Sequence, residues 1–271
     1  MVSAGAVRKL LKEIEASGGG EHVLALGGAI ELAAVLRRQL LRGGADPAAL
    51  RLGGPEGAAC YVHVLGGDDD EDVLRRANRL RVPVIAISAG PVDSVPYVLA
   101  TDVIRVDEGR AFPLAELARV IANRLGEDGA PLAARVPILR DAVCDRLTAT
   151  FTRKNALFAA AIWIPGADLP VLALNQLRLV LRIAQSFGEP TGRDRLPELV
   201  ATLGAGFGLR AVAQEALDLV PVAGWAVKGT VAYAGTRAVG EAAKKRFELA
   251  ARASAPARLT LPQAAGVPVA P

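Results

Sequence analysis

The sequence predicts an α/β domain built on a small parallel sheet, followed by an all-helical domain. Three observations carry this. Short apolar runs alternate with stretches of helical period as far as Leu125, the pattern of a parallel sheet covered by helices on both faces. Beyond Gly126 strand signals stop and long helical stretches take over. The charge balance also changes: residues 1–130 hold 15 basic and 18 acidic side chains, a net of −3, whereas residues 131–271 hold 17 and 10, a net of +7. A basic half of this kind suits an anionic or acidic surface, though solvated helix faces account for many such arginines.

Taken in order, HVLALGG (His22–Gly28) reads as a strand ending in glycine, and AIELAAVLRRQLL (Ala29–Leu41) as the helix after it, closed by Gly43–Gly44. The unit repeats in CYVHVLGG (Cys60–Gly67) and DDDEDVLRRANRL (Asp68–Leu80), whose first turn is acidic. VPVIAIS (Val82–Ser88) and DVIRV (Asp102–Val106) are two further strands, and FPLAELARVIANRL (Phe112–Leu125) is the helix that follows. GEDGAP (Gly126–Pro131) has the composition of a linker, so the expected units are residues 1–130 and 136–250. In the second unit, helices are expected over Val136–Ile164, Leu169–Gly188, Asp194–Val220 and Ala226–Ala253, with breaks at Pro165–Asp168 and Pro221–Trp225. Leu174, Leu177, Val180, Leu181 and Ala184 line one face of the Leu169–Gly188 helix. The Pro/Ala-rich tail, residues 251–271, is expected to be disordered.

Composition narrows the function classes. The chain is 52% apolar with only 4% aromatic residues, so its core is Leu, Val, Ile and Ala. Cys60 and Cys144 lack any CxxC spacing, which argues against a disulfide framework or structural zinc. The start, MVSAGAVRKLLKEIEASGGGEH, is amphipathic and carries acids, unlike a secretory signal, and implies the cytoplasm. A bilayer span needs ~20 predominantly apolar residues. The stretch from Lys154 to Asp168 encloses 13 uncharged ones, so buried bundle helices are expected, with peripheral contact at the inner face of a membrane left open. Nucleic acid is not an expected partner, because the arginines are not interleaved with aromatics.

In a parallel sheet, ligands bind beyond the carboxyl ends of the strands. Gly27, Gly28, Gly66, Gly67 and Asp68 lie there and would form a site if a nucleotide bound. A phosphate-binding Walker loop, however, needs glycines, a lysine and a Ser/Thr in the order GxxxxGK[ST], and the first turn reads GGAIELA. GxGxxG and NKxD are missing from this half as well, and AGPVD follows the VPVIAIS strand. The acids Asp68 to Asp72 suit the positive end of the following helix better than a magnesium ion, and His22 and His63 read as ordinary strand positions. No catalytic constellation, metal site or cofactor is expected. In the helical half Asp168 is placed to cap the next helix, and the buried amides of Asn175 and Gln176 require partners. Arg178 and Arg182 share a helix face; with Lys228 they are candidates for docking a protein partner, the alternative for the arginines being ion pairs with acids of the chain itself.

IPGADLPVLALNQLRLVLRIAQSFG, LPELVATLGAGFGLRAVAQ and LVPVAGWAVKGTVAYAGTRAVG together resemble the YcjF-like helical domain of unknown function, over roughly Val136 to Glu248. The resemblance implies a bacterial, membrane-associated protein linked to GTPases. By order of elements, the first half is then similar to a Rossmann-like, GTPase-like α/β domain that has lost its nucleotide motifs. The function expected is that of a non-catalytic interaction or regulatory protein whose helical domain docks on a partner or membrane surface. The alternative is a GTPase-related regulator that binds nucleotide at a non-standard site.

Overall fold

The computed structural model describes residues 4–67, 69–92, 94–107, 109–161, 169–191 and 224–254. As expected, an α/β domain with a parallel sheet precedes an all-helical domain. The first comprises α1 (Ala4–Gly18), β1 (Leu24–Gly28), α2 (Ile30–Arg42), β2 (Leu50–Leu52), β3 (Cys60–Val64), α3 (Asp70–Arg79), β4 (Val84–Ala89), β5 (Val103–Val106) and α4 (Leu114–Leu125). The helices α5 (Gly129–Arg135), α6 (Arg140–Ala161), α7 (Leu169–Ser186) and α8 (Gly224–Ser254) follow. The expected helix Asp194–Val220, the Asp168 cap and the tail beyond Ser254 lie outside the described residues.

All strand pairs are parallel, in the order β2-β1-β3-β4-β5. Leu24 pairs with Leu50 on one side and Cys60 on the other, which makes β1 the pivot of the sheet. Strand alternation sorts the side chains into two layers. Leu24, Leu26, Val62, Val64, Ile85, Ile87 and Ile104 face Leu36 and Leu40 of α2 and Leu117 and Ile121 of α4. Ala25, Tyr61 and Ala86 face Leu74 and Ala77 of α3. The chain thus winds to opposite faces on the two sides of the β1/β3 boundary, and that boundary is the topological switch point where such sheets open a crevice.

One strand escaped the sequence reading. β2 has three residues, of which Arg51 and Leu52 are exposed, so an edge strand this short leaves no apolar run to recognise. The linker reading needs correction too. Gly126–Asp128 is a 3₁₀ turn and α5 begins at Gly129, with Gly129, Ala130 and Pro131 all buried. A Cβ on Gly129 would stand 3.3 Å from Val143 of α6, so this glycine permits close packing rather than flexibility.

The helical half shares its core with the sheet. One continuous cluster runs from Leu24 and Ile121 through Val143 and Leu147 to Phe151, Leu179, Val239 and Phe247. α6, α7 and α8 pack on one another, and Gly240 lets α6 and α8 approach so closely that a Cβ there would lie 2.4 Å from Thr148 Oγ1. Between these helices the side-chain amide of fully buried Asn155 donates to Thr236 Oγ1 (2.9 Å) and accepts from Asn175 (2.8 Å). Gln176 donates to Thr236 as well (3.4 Å), so both amides flagged in the sequence are satisfied inside the bundle. Among the described residues, no helix is long and apolar enough to cross a membrane.

Candidate functional site: the crevice at the switch point

The turns after β1 and β3 meet at the carboxyl edge of the sheet and bring Gly27, Gly28, Gly66 and Gly67 together. Between them lies a cleft of about 580 Å³, lined among others by Gly28, Ala29, Glu31, Leu32, His63, Gly66, Gly67, Asp69 and Asp70. Asp68 lies outside the described residues.

The glycines after β1 are packed against their surroundings. Gly28 has φ +86°, and a Cβ there would lie 1.9 Å from the Val64 carbonyl oxygen. The same oxygen accepts the Ala29 N–H at 2.8 Å, which ties the start of α2 to the end of β3. At Gly27 a Cβ would meet Tyr61 Oη at 2.3 Å and the Gly53 carbonyl at 2.6 Å, because the connection from β2 to β3 crosses β1 there. These residues are glycine because protein atoms occupy the space a side chain needs.

On the β3 side, the peptide N–H groups are taken up by Asp70. Its Oδ2 accepts the Gly66 N–H at 2.8 Å and its Oδ1 the Gly67 N–H at 3.2 Å. Asp70 Oδ1 is also 2.8 Å from His63 Nε2, while His63 Nδ1 is 2.9 Å from Tyr61 Oη. A carboxylate can only accept, so Nε2 carries a proton towards Asp70, and in that tautomer of the neutral ring Nδ1 is the nitrogen left to accept from the tyrosine hydroxyl. Burial, and then the nearby Asp70 charge, push the Tyr61 phenol up to about 12, which keeps it protonated as the donor. The imidazole is almost fully buried, at 1% exposure. Asp70 therefore holds the β3–α3 turn in the way a bound anion holds a loop of convergent N–H groups.

Sequence reasoning treated His63 as an ordinary strand position and missed this Tyr61–His63–Asp70 relay. The available signal was the spacing of Tyr61 and His63, two apart and so on one face, followed by an acid in the first turn of the next helix. Other acids of that turn are spent locally: Arg75 pairs with Glu71 at 2.7 Å and Asp72 at 2.8 Å. Among the described residues, no group of three or more His, Cys, Asp or Glu side chains is placed to hold a metal ion.

The arginines of α7 lie away from this crevice, against α1. Arg178 pairs with Glu13 of α1 and stands 3.1 Å from Glu127. Arg182 is buried at 3% exposure, donating to Ser17 Oγ (2.6 Å) and Gln185 Oε1 (3.0 Å), and burial lowers its affinity for its proton. Gln185 in turn donates to the Ile14 carbonyl at 3.2 Å. Both guanidinium groups thus make contacts within the chain that fasten the N-terminal helix to the helical half. Lys228 belongs to α8, and its side chain lies outside what the structure describes.

Comparison with protein-family models, with curated proteins and with solved structures returned no match.

Proposed function

We propose that this chain is a non-catalytic interaction protein, in which a GTPase-like α/β scaffold without a working phosphate corner supports a helical domain. One observation carries the reading: three N–H groups that converge on the switch point, those of Ala29, Gly66 and Gly67, are engaged by the protein itself. The Ala29 N–H is bonded to Val64, and the Gly66 and Gly67 N–H groups are bonded to Asp70. Among the described residues the cleft is lined by Glu31, Asp69 and Asp70 with no Lys or Arg, a setting that repels a polyphosphate. Kinship of the helical half with YcjF-like domains, and partner docking through that half, belong to the same proposal.

The test is calorimetric titration of the full chain with GTP and ATP, each with magnesium, alongside phosphate-release measurements. The expected result is no saturable binding and no turnover above background. Micromolar binding that disappears in a Gly66 or Asp68 variant would favour the alternative, a nucleotide-binding regulator with a non-standard site.

A further inference from the structure

The same corner of the α/β domain carries an apolar surface that is exposed among the described residues. Ile30, the first residue of α2, is 82% exposed, and beside it Leu52 at the end of β2 and Leu32 are 45% and 40% exposed. An isoleucine at that exposure gives up the ~1.5–3 kcal/mol that burying it would return. Ile30 forms the ridge between two depressions. On one side is an apolar hollow of about 190 Å³, lined by Leu26, Ala33, Leu52, Tyr61 and Val73 with the glycines between them. On the other is the acidic cleft, where the exposed Glu31 and Asp69 make no ion pair among the described residues.

We infer that this face docks a basic amphipathic helix of a protein partner. An apolar side chain of that helix fills the hollow beside Ile30 and Leu52, and its lysines or arginines enter the cleft against Glu31 and Asp69. The inference rests on the reading of the chain as an interaction protein, and it names the partner's chemistry. Charge complementarity selects the occupant. An anionic lipid surface or a phosphate-bearing ligand would meet uncompensated carboxylates, whereas a basic helix neutralises them while covering the leucines and the isoleucine.

The experiment uses the full chain and two fluorescein-labelled helical peptides of equal length, one of leucine and lysine and one of leucine and glutamate, followed by fluorescence anisotropy. Ile30→Asp and the double variant Glu31→Lys/Asp69→Lys change exposed residues, and circular dichroism verifies that they remain folded. The expected result is saturable binding of the lysine peptide, weakened about tenfold or more in each variant and by added salt, with no binding of the glutamate peptide. Equal binding of the two peptides, or unchanged affinity in either variant, would overturn the inference. So would self-association of the wild-type chain in sedimentation that Ile30→Asp abolishes, since a second copy would then be the occupant. Absence of peptide binding together with absence of nucleotide binding refutes the docking face alone, whereas nucleotide binding refutes the reading beneath it.

Discussion

Gly28→Ala separates a glycine kept for packing from one kept for a ligand. The new Cβ would stand 1.9 Å from the Val64 carbonyl oxygen, so strand and turn must separate by about 1 Å to reach even the 3.0 Å below which real contacts are essentially never found. That displacement breaks the 2.8 Å bond from the Ala29 N–H, a loss of roughly 1 kcal/mol. The φ of +86° adds about 1–2 kcal/mol for a residue with a side chain. Overpacking against a main chain held in the sheet adds about 1–3 kcal/mol. The sum, roughly 3–6 kcal/mol, corresponds to a fall in Tm on the order of 10 °C for a chain of this size. Urea denaturation followed by circular dichroism, with calorimetry for Tm, measures it. Gly66→Ala is the control: φ is also positive, at +125°, but the nearest atom to a Cβ is Ala29 Cβ at 3.8 Å, so only about 1–3 kcal/mol of backbone strain applies. A Gly28→Ala protein melting within about 2 °C of wild type would show that the β1 turn is not packed against β3, and the reasoning would fail.

Two further outcomes follow from the rest of the molecule. Burial pushes the Cys60 and Cys144 thiols from the ordinary 9.0 up to about 12, so both should resist a thiol reagent at pH 8 until the protein is unfolded. Because their folded values are raised, the associated stability is fully present below pH 9.0 and is lost as pH climbs towards about 12; alkaline titration of Tm, with Cys→Ser variants for comparison, checks the direction. Arg182→Ala should cost about 2–3 kcal/mol, since it removes buried hydrogen bonds from Ser17 and Gln185, whereas Arg178→Ala, in partly exposed ion pairs, should cost about 1 kcal/mol or less. Urea midpoints rank the two, and an equal or reversed order would mean that α1 is not held on α7 by the buried arginine.

How far the fold was legible depends on where its information lies along the chain. β1, β3 and β4 are buried runs between turn signals, so composition alone marks them, and the helices that cover them show an apolar period. β2 was illegible because only Leu50 of its three residues points inward. Gly126–Pro131 misled because glycine and proline suit a linker and a tight helix junction equally, and only the position of Val143 distinguishes them. At the candidate site, the sequence placed the glycines at the strand ends, where the structure has them. It could not show that Asp70 turns back onto Gly66 and Gly67, or that Tyr61 lies over Gly27, since these contacts depend on how the turns fold. The shared face of Arg178 and Arg182 was visible in their spacing, but Glu13 and Ser17, each 165 positions away, were not.

The central claim is that the Ala29, Gly66 and Gly67 N–H groups at the switch point are occupied by the protein's own carbonyl and carboxylate. Amide NMR of the labelled full chain tests it directly, by following the Ala29, Gly66 and Gly67 signals while GTP with magnesium is added to millimolar concentration. The account predicts that all three stay in place throughout the titration. Saturable shifts of Gly66 and Gly67, with the hydrogen bonds to Asp70 giving way to the nucleotide, would contradict it.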